Sequence, residues 1–564
     1  MKFTDFEYLR PDLEHLEIEM KKWTRHILNA KDDDDVLEAI IAFNKIRRNF
    51  ETMQTLVSIR YSLNTTDTFY EKEQNFMDEN APEVEAWING YYKALNVSKY
   101  TDKAKAKFGT HFFKLIEVKL KAFDEVILED LKIENQLSSQ YTKLRSSAKI
   151  PFNGEILNLS QMGPFYEDPS PEIRKAAHQA TSDFFAEHLK DFDDLYDKLV
   201  QTRDSMAKKM GYENYIELGY LRLSRVDYNW QDVATYRKQI RDDLVPLATQ
   251  LRERQRNRLG LVKLHFSDEG IAFLNGNAKP IGTPEEILEN GRKMYHELSP
   301  ETGAFIDFMY EHDLMDVVAK EGKAGGGYCT YIPDYESPFI FSNFNGTSGD
   351  VDVLTHEAGH AFQVYSSRGF ELPEYLWPTL EACEIHSMSM EFITWPWMNL
   401  FFGDLADKYK FNHLTEAILF LPYGVLVDEF QHEIYSNPSM TPEERRGIWT
   451  KLEKIYLPHR DYEDDAFLQS GGFWFRQGHI FNDPFYYIDY TLAQICAFQF
   501  HIANQEDHQA AWLRYLKLCK LGGSKSFLNL VNIAELKNPF EEGTIKKIVE
   551  PLKSWLEIQP DERF

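Results

Sequence analysis

Cysteine is scarce and scattered. Cys329, Cys383, Cys496 and Cys519 are the four in 564 residues, and no two stand at C-x-x-C spacing. That pattern excludes a disulfide framework and reads as the reduced thiols of a cytoplasmic protein. Basic charge is also in deficit, with 63 Lys and Arg against 90 Asp and Glu for a net charge of −27. Nucleic acid and anionic membranes are therefore poor partners. No uninterrupted apolar run approaches the ~20 residues that span a bilayer. The start, Met1-Lys2-Phe3-Thr4-Asp5-Phe6-Glu7, has neither a basic n-region nor an apolar h-region, so no secretory leader is expected. Sustained repeats and long low-complexity linkers are missing too. What remains, 43% hydrophobic and 27% charged, is the composition of a soluble globular chain able to bury a large core.

Against that background one motif stands out: His356-Glu357-Ala358-Gly359-His360, an H-E-x-x-H pattern. A helical turn takes about 3.6 residues, so two imidazoles four apart point the same way and can share one metal ion. Zinc accepts such nitrogens, and the glutamate between them stands where a general base is needed. The surroundings suit a helix. Ser348-Gly349-Asp350 offers N-cap chemistry, and Val351, Leu354, Ala358, Ala361 and Phe362 recur at helical spacing. Gly369 is expected to close the helix as a C-cap.

A catalytic zinc takes three protein ligands and leaves one position open. The metzincin arrangement is excluded, because Gln363 and Ser366 stand where it needs Gly and His. The segment Thr379 to Phe392 offers another source, with Glu381, Glu384 and Glu391 among Cys, Ile, Met and Phe. Carboxylates in such company are costly unless paired or bound to metal. One of them can ligate while others orient the histidines. Cys383 and His386 are rivals by chemistry, but they face away from Glu384 by about 100° and 200°, so at most one of the three fits. A solvated face of glutamates is the plainer alternative.

The motif, followed 24 residues later by Glu384 in Glu381-Ala-Cys-Glu-Ile-His-Ser-Met-Ser-Met-Glu391, resembles the thimet-oligopeptidase/oligoendopeptidase F family of zinc metallopeptidases, and within it the bacterial oligoendopeptidase F and Pz-peptidase branch. The resemblance implies that Glu384 is the third ligand beside His356 and His360, with one Zn2+ per chain. It extends to Arg476-Gln477-Gly478-His479-Ile480-Phe481 and Pro484-Phe485-Tyr486-Tyr487-Ile488-Asp489-Tyr490. In the family a histidine and two tyrosines from this segment reach toward the scissile carbonyl. His479 matches the histidine, and Tyr487 and Tyr490 match the pair. The doubled Tyr486-Tyr487 leaves the register open by one position. Gly325-Gly326-Gly327-Tyr328 and Ser337 to Asn343 resemble the glycine-rich loop and edge strand beside the cleft. Taken without the family, the aromatic cluster is as readily a core or a ligand wall, and three glycines in a row are most simply a flexible loop.

The rest of the chain reads as helical nearly throughout. Asp35 to Leu63 is amphipathic through Val36, Leu37, Ile40, Ile41 and Phe43, and Lys31 to Asp35 is a capping turn. Ile150 to Leu159 reads as a hairpin turning at Asn153-Gly154. Helices resume at Pro171 after Ser170. Thr283-Pro284-Glu285-Glu286 and Thr441-Pro442-Glu443-Glu444 are capping boxes with proline at the first helical position. His432-Glu433 has Ser436 at its fourth place and cannot repeat the metal motif. The expected fold is mainly α: zincin-type active-site helices with a small β-sheet, and two helical lobes enclosing a deep substrate channel. A helical region 1–170 precedes a catalytic region 171–564.

The expected activity is zinc-dependent hydrolysis of short unstructured oligopeptides. Glu357 would act as general base, with His479, Tyr487 and Tyr490 as oxyanion donors. The substrate would pair with the edge strand near Phe339 to Asn343. An exo-acting zinc peptidase, a non-catalytic peptide-binding protein and a small-molecule zinc hydrolase are the competing readings. Glu357 argues against the binding protein, which has no use for a base there. The composition does not set the oligomeric state, and a monomer is compatible with it.

Overall fold

The computed structural model describes residues 1–564 apart from Glu321 and the side chain of Glu562. Its first five helices are α1 (Leu13–Leu28), α2 (Asp33–Leu63), α3 (Thr68–Val97), α4 (Asp102–Phe108) and α5 (Thr110–Ala122). Asp32 caps α2 by accepting from the backbone N–H groups of Asp34 and Asp35, which gives the acidic turn its role. Val36, Ile40 and Phe43 of α2 are fully buried, whereas Ile41 is 46% exposed. The amphipathic stripe is thus narrower than the run of apolar residues. These helices share a core with Met20, Val36, Ile40, Phe43 and Tyr91 at its centre, and that core also takes in Leu372 and Tyr375 from far down the chain. A larger core begins with Phe3, Phe6, Leu56 and Ile59 and runs from Ile127 to Leu556.

Local signals placed several elements. Strands β1 (Ile150–Phe152) and β2 (Glu155–Leu157) pair antiparallel, with Asn153 at φ 52° and Gly154 at φ 83°. Two left-handed residues in a two-residue loop match the twist of the flanking strands. Thr283 and Thr441 form reciprocal capping boxes with Glu286 and Glu444, and Ser170 caps the helix Pro171–Glu187.

The second sheet positions the site and corrects one expectation. Strands β3 (Met315–Val318), β4 (Tyr328–Ile332) and β5 (Ser337–Phe344) are ordered β3-β5-β4, β5 being parallel to β3 and antiparallel to β4. The segment Phe339 to Asn343 is therefore central rather than an edge, and its backbone is hydrogen-bonded on both sides. Its apolar run reflects burial on both faces. The outer strands are β3 and β4, and β4, directly after the three glycines, pairs on one side only among the described residues.

From β5 the chain enters the His356 helix, Gly349–Ser367. Ser348 makes no side-chain cap. Asp350 tightens the entry instead, its carboxylate accepting from the N–H groups of Asn345 and Gly346, both at 2.8 Å. Gly369 does not adopt the left-handed conformation expected of it; the exit is closed by Phe370 N–H on the Ser367 carbonyl. The Glu384 helix, Leu380–Ile393, crosses at Gly359. A Cβ there would stand 2.7 Å from the His386 carbonyl oxygen and from the Ser387 Cα. The variable glycine of the motif is thus what lets the two helix backbones meet.

Candidate metal centre and the histidine–tyrosine wall

His356, His360 and Glu384 each offer one ligand atom, and these atoms lie within 4.8 Å of one another. Nε2 of both histidines is 3.3 Å from the same oxygen, Oε2 of Glu384. The rivals on the Glu384 helix make their hydrogen bonds elsewhere. His386 is buried and donates from Nδ1 to the Ala382 carbonyl at 2.7 Å; its burial lowers the imidazole to about 4. The Cys383 thiol donates to the Pro378 carbonyl. Glu381 accepts from the Thr379 hydroxyl at 3.0 Å.

The outer partners show that the donor set suits a metal ion. Nδ1 of His356 faces Glu391 Oε1 at 2.7 Å. A carboxylate there holds the proton on Nδ1 and leaves the Nε2 lone pair aimed at the centre. Glu391 Oε2 in turn meets Nε2 of His413 at 2.8 Å, and Nδ1 of His413 accepts from the Trp395 indole at 3.2 Å. Ser387 donates to Glu384 Oε2 at 2.9 Å. Two imidazole nitrogens and one carboxylate oxygen, with a position left open, are a donor set that zinc accepts. His413 and Trp395 escaped sequence reasoning because they meet Glu391 only through the fold; a histidine amid the apolar positions of the helix Ala406–Ser436 was the available hint.

Burial acts on the carboxylates first. It raises Glu357 above the ordinary carboxylate range, the nearby imidazoles of His356 and His360 opposing. Glu384 also loses hydration, but the two imidazoles outweigh that and hold its carboxyl well below the usual range. Glu357 faces the β4 edge: a Cβ on Gly327 would be 3.6 Å from Glu357 Oε1. The last of the three glycines thus keeps side-chain bulk away from the base.

The C-terminal wall comes from the short helix Gly478–Asn482 and the tyrosine helix Tyr487–Glu506. Phe485, at φ 67°, forms the corner between them. Arg225 pins that corner, donating to the Phe485 carbonyl at 2.7 Å and to Asp489 at 2.6 Å. Gly219 makes room, since a Cβ there would be 2.7 Å from the Phe485 ring. The corner sends three tyrosines in different directions. Tyr486 donates its hydroxyl to Glu384 Oε1 at 2.6 Å. Tyr490 lies one turn on and meets His479 Nε2 at 3.2 Å. Tyr487 packs edge-on against Phe420 and Tyr423 and also lies against the His479 and Tyr490 rings, at 5.0 and 5.5 Å between centroids. The structure thus brings His479 and Tyr490 together beside Tyr486, with the Tyr487 ring against both. His479, lowered to about 4 chiefly by burial, is neutral. Gln477 and Tyr423, which sequence reasoning did not single out, form a hydrogen-bond chain behind it.

Comparison with known proteins bears on the family. Residues 3–123 match the peptidase M3 N-terminal domain and residues 284–550 match peptidase family M3. A solved structure of Pz peptidase A with an inhibitor is 52% identical and superposes with a TM-score of 0.98 over 100% of both chains. A structure from Bacillus anthracis str. Ames, provisionally assigned as an oligoendopeptidase F, is 50% identical with a TM-score of 0.94, covering 100% of this chain and 99% of that one. An oligoendopeptidase F homologue from Borreliella burgdorferi is 26% identical over 253 residues, which span 43% of this chain and 41% of that curated relative. A metal-type triad on crossed helices, an acid against a strand edge and these matches lead to one assignment: the chain belongs to peptidase family M3.

Proposed function

We propose that this peptidase is a zinc-dependent endopeptidase that cleaves short, unstructured oligopeptides. The observation that carries the reading is the convergence of His356, His360 and Glu384 within 4.8 Å, with the buried Glu357 on the same helix turned to the β4 edge. Those three side chains would hold one zinc ion, which supplies Lewis acidity toward the scissile carbonyl and makes water a stronger acid. Glu357 takes the proton of the attacking water and delivers it to the leaving amine. Its raised affinity for a proton suits both halves of that exchange. Tyr490, with His479 behind it, donates to the oxygen on which negative charge develops. An extended peptide would pair its backbone with the outer edge of β4, which makes binding tolerant of side-chain identity. The enclosed channel implied by the family would spare folded proteins. The four free cysteines suit a reducing compartment, and no helix of the described residues is long and apolar enough to cross a membrane.

The test is a peptide blocked at both ends, incubated with the protein before and after exhaustive chelation and analysed by mass spectrometry. Internal cleavage that disappears with the metal and returns with zinc is expected. A blocked peptide left intact while free-ended peptides are trimmed would replace the endopeptidase reading with an exo-acting one. Cleavage undiminished by metal removal would end the zinc reading.

A further inference from the structure

Gln477 stands two residues before His479 and touches no group of the metal centre, yet both ends of its amide are engaged. The Tyr423 hydroxyl donates to Oε1 at 2.8 Å, and Nε2 lies 2.8 Å from His479 Nδ1. Among the described residues the Tyr423 hydroxyl has no other acceptor, so its hydrogen fixes which end of the amide is oxygen and which must donate. His479 is neutral and carries a single N–H. With Nδ1 accepting from Gln477, that hydrogen sits on Nε2 and is given to the Tyr490 oxygen 3.2 Å away. Tyr490 thereby accepts from the imidazole and keeps its own hydrogen. Burial holds that hydroxyl well above the ordinary phenol range, the charges of Glu384 and Glu357 adding to the effect and the neighbouring Tyr486 hydroxyl opposing it. The neighbouring tyrosines are placed differently. The Tyr486 hydrogen is committed to Glu384, and the Tyr487 ring is packed against Phe420 and Tyr423.

We propose that Gln477 is a positioning residue whose amide polarity, acting through His479, places the imidazole hydrogen on Nε2 and leaves the Tyr490 hydroxyl hydrogen free for the substrate carbonyl oxygen. This rests on the peptidase reading and names the part of the wall that orients its donor. Reversing the chain has a defined consequence. If Nδ1 carried the hydrogen, the bare Nε2 would take the Tyr490 hydroxyl as its donor, and the phenol would face the substrate with lone pairs only.

The experiment uses the zinc-loaded full chain in three forms: wild type, Gln477→Glu and Gln477→Met. Nitrogen-15 NMR of histidine-labelled protein, with the His479 signal assigned by its loss in His479→Gln, reads the tautomer without any turnover. Wild type should show the Nε2–H form. In Gln477→Glu the new carboxylate accepts from Nδ1 and raises the imidazole pKa. Below that raised value the cation still donates from Nε2 and kcat stays near wild type. As pH rises through it, the remaining hydrogen stays on Nδ1 and kcat falls by ~10²-fold, the loss typical of one oxyanion donor, with KM little changed. Wild type should lack that limb. Gln477→Met, which imposes no polarity, should fall between the two and show a mixture of tautomers. An Nδ1–H form in wild type, or a Gln477→Glu profile that follows wild type from pH 6 to 9, would overturn the proposal. A wild-type kcat in Tyr490→Phe would instead sink the oxyanion role of the wall, and the tautomer measurement would still report on Gln477 separately.

Discussion

The two sides of the site are built from different chemistry. The metal side gathers charge: His356, His360, Glu357, Glu384 and Glu391, joined by His413, all of them buried or half-buried. The wall opposite gathers neutral dipoles, Tyr423, Gln477, His479 and Tyr490, linked head to tail with no carboxylate among them. A buried charge is tolerated best with a partner, and His356, His360, Glu384, Glu391 and His413 each have an ion-pair or hydrogen-bond neighbour, whereas Glu357 is held by its place on the helix. A chain of neutral donors costs less to bury, but its value lies in direction, because each link has to donate one way. One side can hold a cation and move a proton. The other can stabilise charge that forms only during the reaction.

The sharpest way to break this division is on the metal side. Glu357→Gln should retain zinc and bind peptide while kcat falls ~10²–10⁴-fold, the range of a lost general base. Metal analysis beside single-turnover kinetics checks it, and near-normal turnover would remove Glu357 from the mechanism. The pH dependence has a fixed sign. The carboxylate works in its charged form and its pKa is raised, so activity should be lost as pH falls through that raised value, with the Gln variant lacking the limb.

On the wall, Tyr490→Phe should lower kcat ~10²–10³-fold with KM nearly unchanged. Tyr487→Phe should stay close to wild type, because the ring that makes its packing contacts is kept. Equal losses in both would mean that the wall acts through packing rather than through one hydroxyl. A smaller effect is expected one step out from the metal. Glu391→Gln should weaken zinc binding ~10–100-fold by releasing the orientation of His356; competition with a chromogenic chelator reads it directly. The smallest is purely steric. Gly359→Ala should cost ~1–3 kcal/mol in stability, because its Cβ meets backbone atoms that cannot turn aside. Chemical denaturation of the metal-free protein checks it, and an unchanged midpoint would show that the helix crossing is loose.

Part of the metal side was legible in the sequence because its spacing is local: two histidines stand one turn apart, and the next helix can offer one ligand, the choice of Glu384 for that place coming from the family resemblance. Capping boxes and the Asn153-Gly154 turn were legible for the same reason. What the sequence did not reveal depends on contacts between distant segments. Gln477 meets Tyr423 across 54 positions and Glu391 meets His413 across 22, and neither contact leaves a periodic trace. The central place of β5 was hidden because an apolar run looks alike in a fully paired strand and in a buried edge. Among the three tyrosines, the choice depended on a corner at Phe485 held by Arg225, a residue 260 positions upstream.

The link between the His356 and Glu384 helices passes through Leu372 and Tyr375, and both belong to the core of α1 to α5 rather than to the larger one. The same link rests on Gly522 and Gly523, where added side chains would come within 2.3 and 2.2 Å of the Tyr375 and Trp377 carbonyl oxygens. The stretch that matches peptidase family M3, residues 284–550, therefore does not carry everything that sets the spacing of His356, His360 and Glu384. Trimming the chain to that stretch would strip the apolar cover from one side of the link and let Glu384 drift from the histidines. The N-terminal helices behave less like a detachable cap than like the other jaw of a vice, so a working miniature of this peptidase would have to retain them.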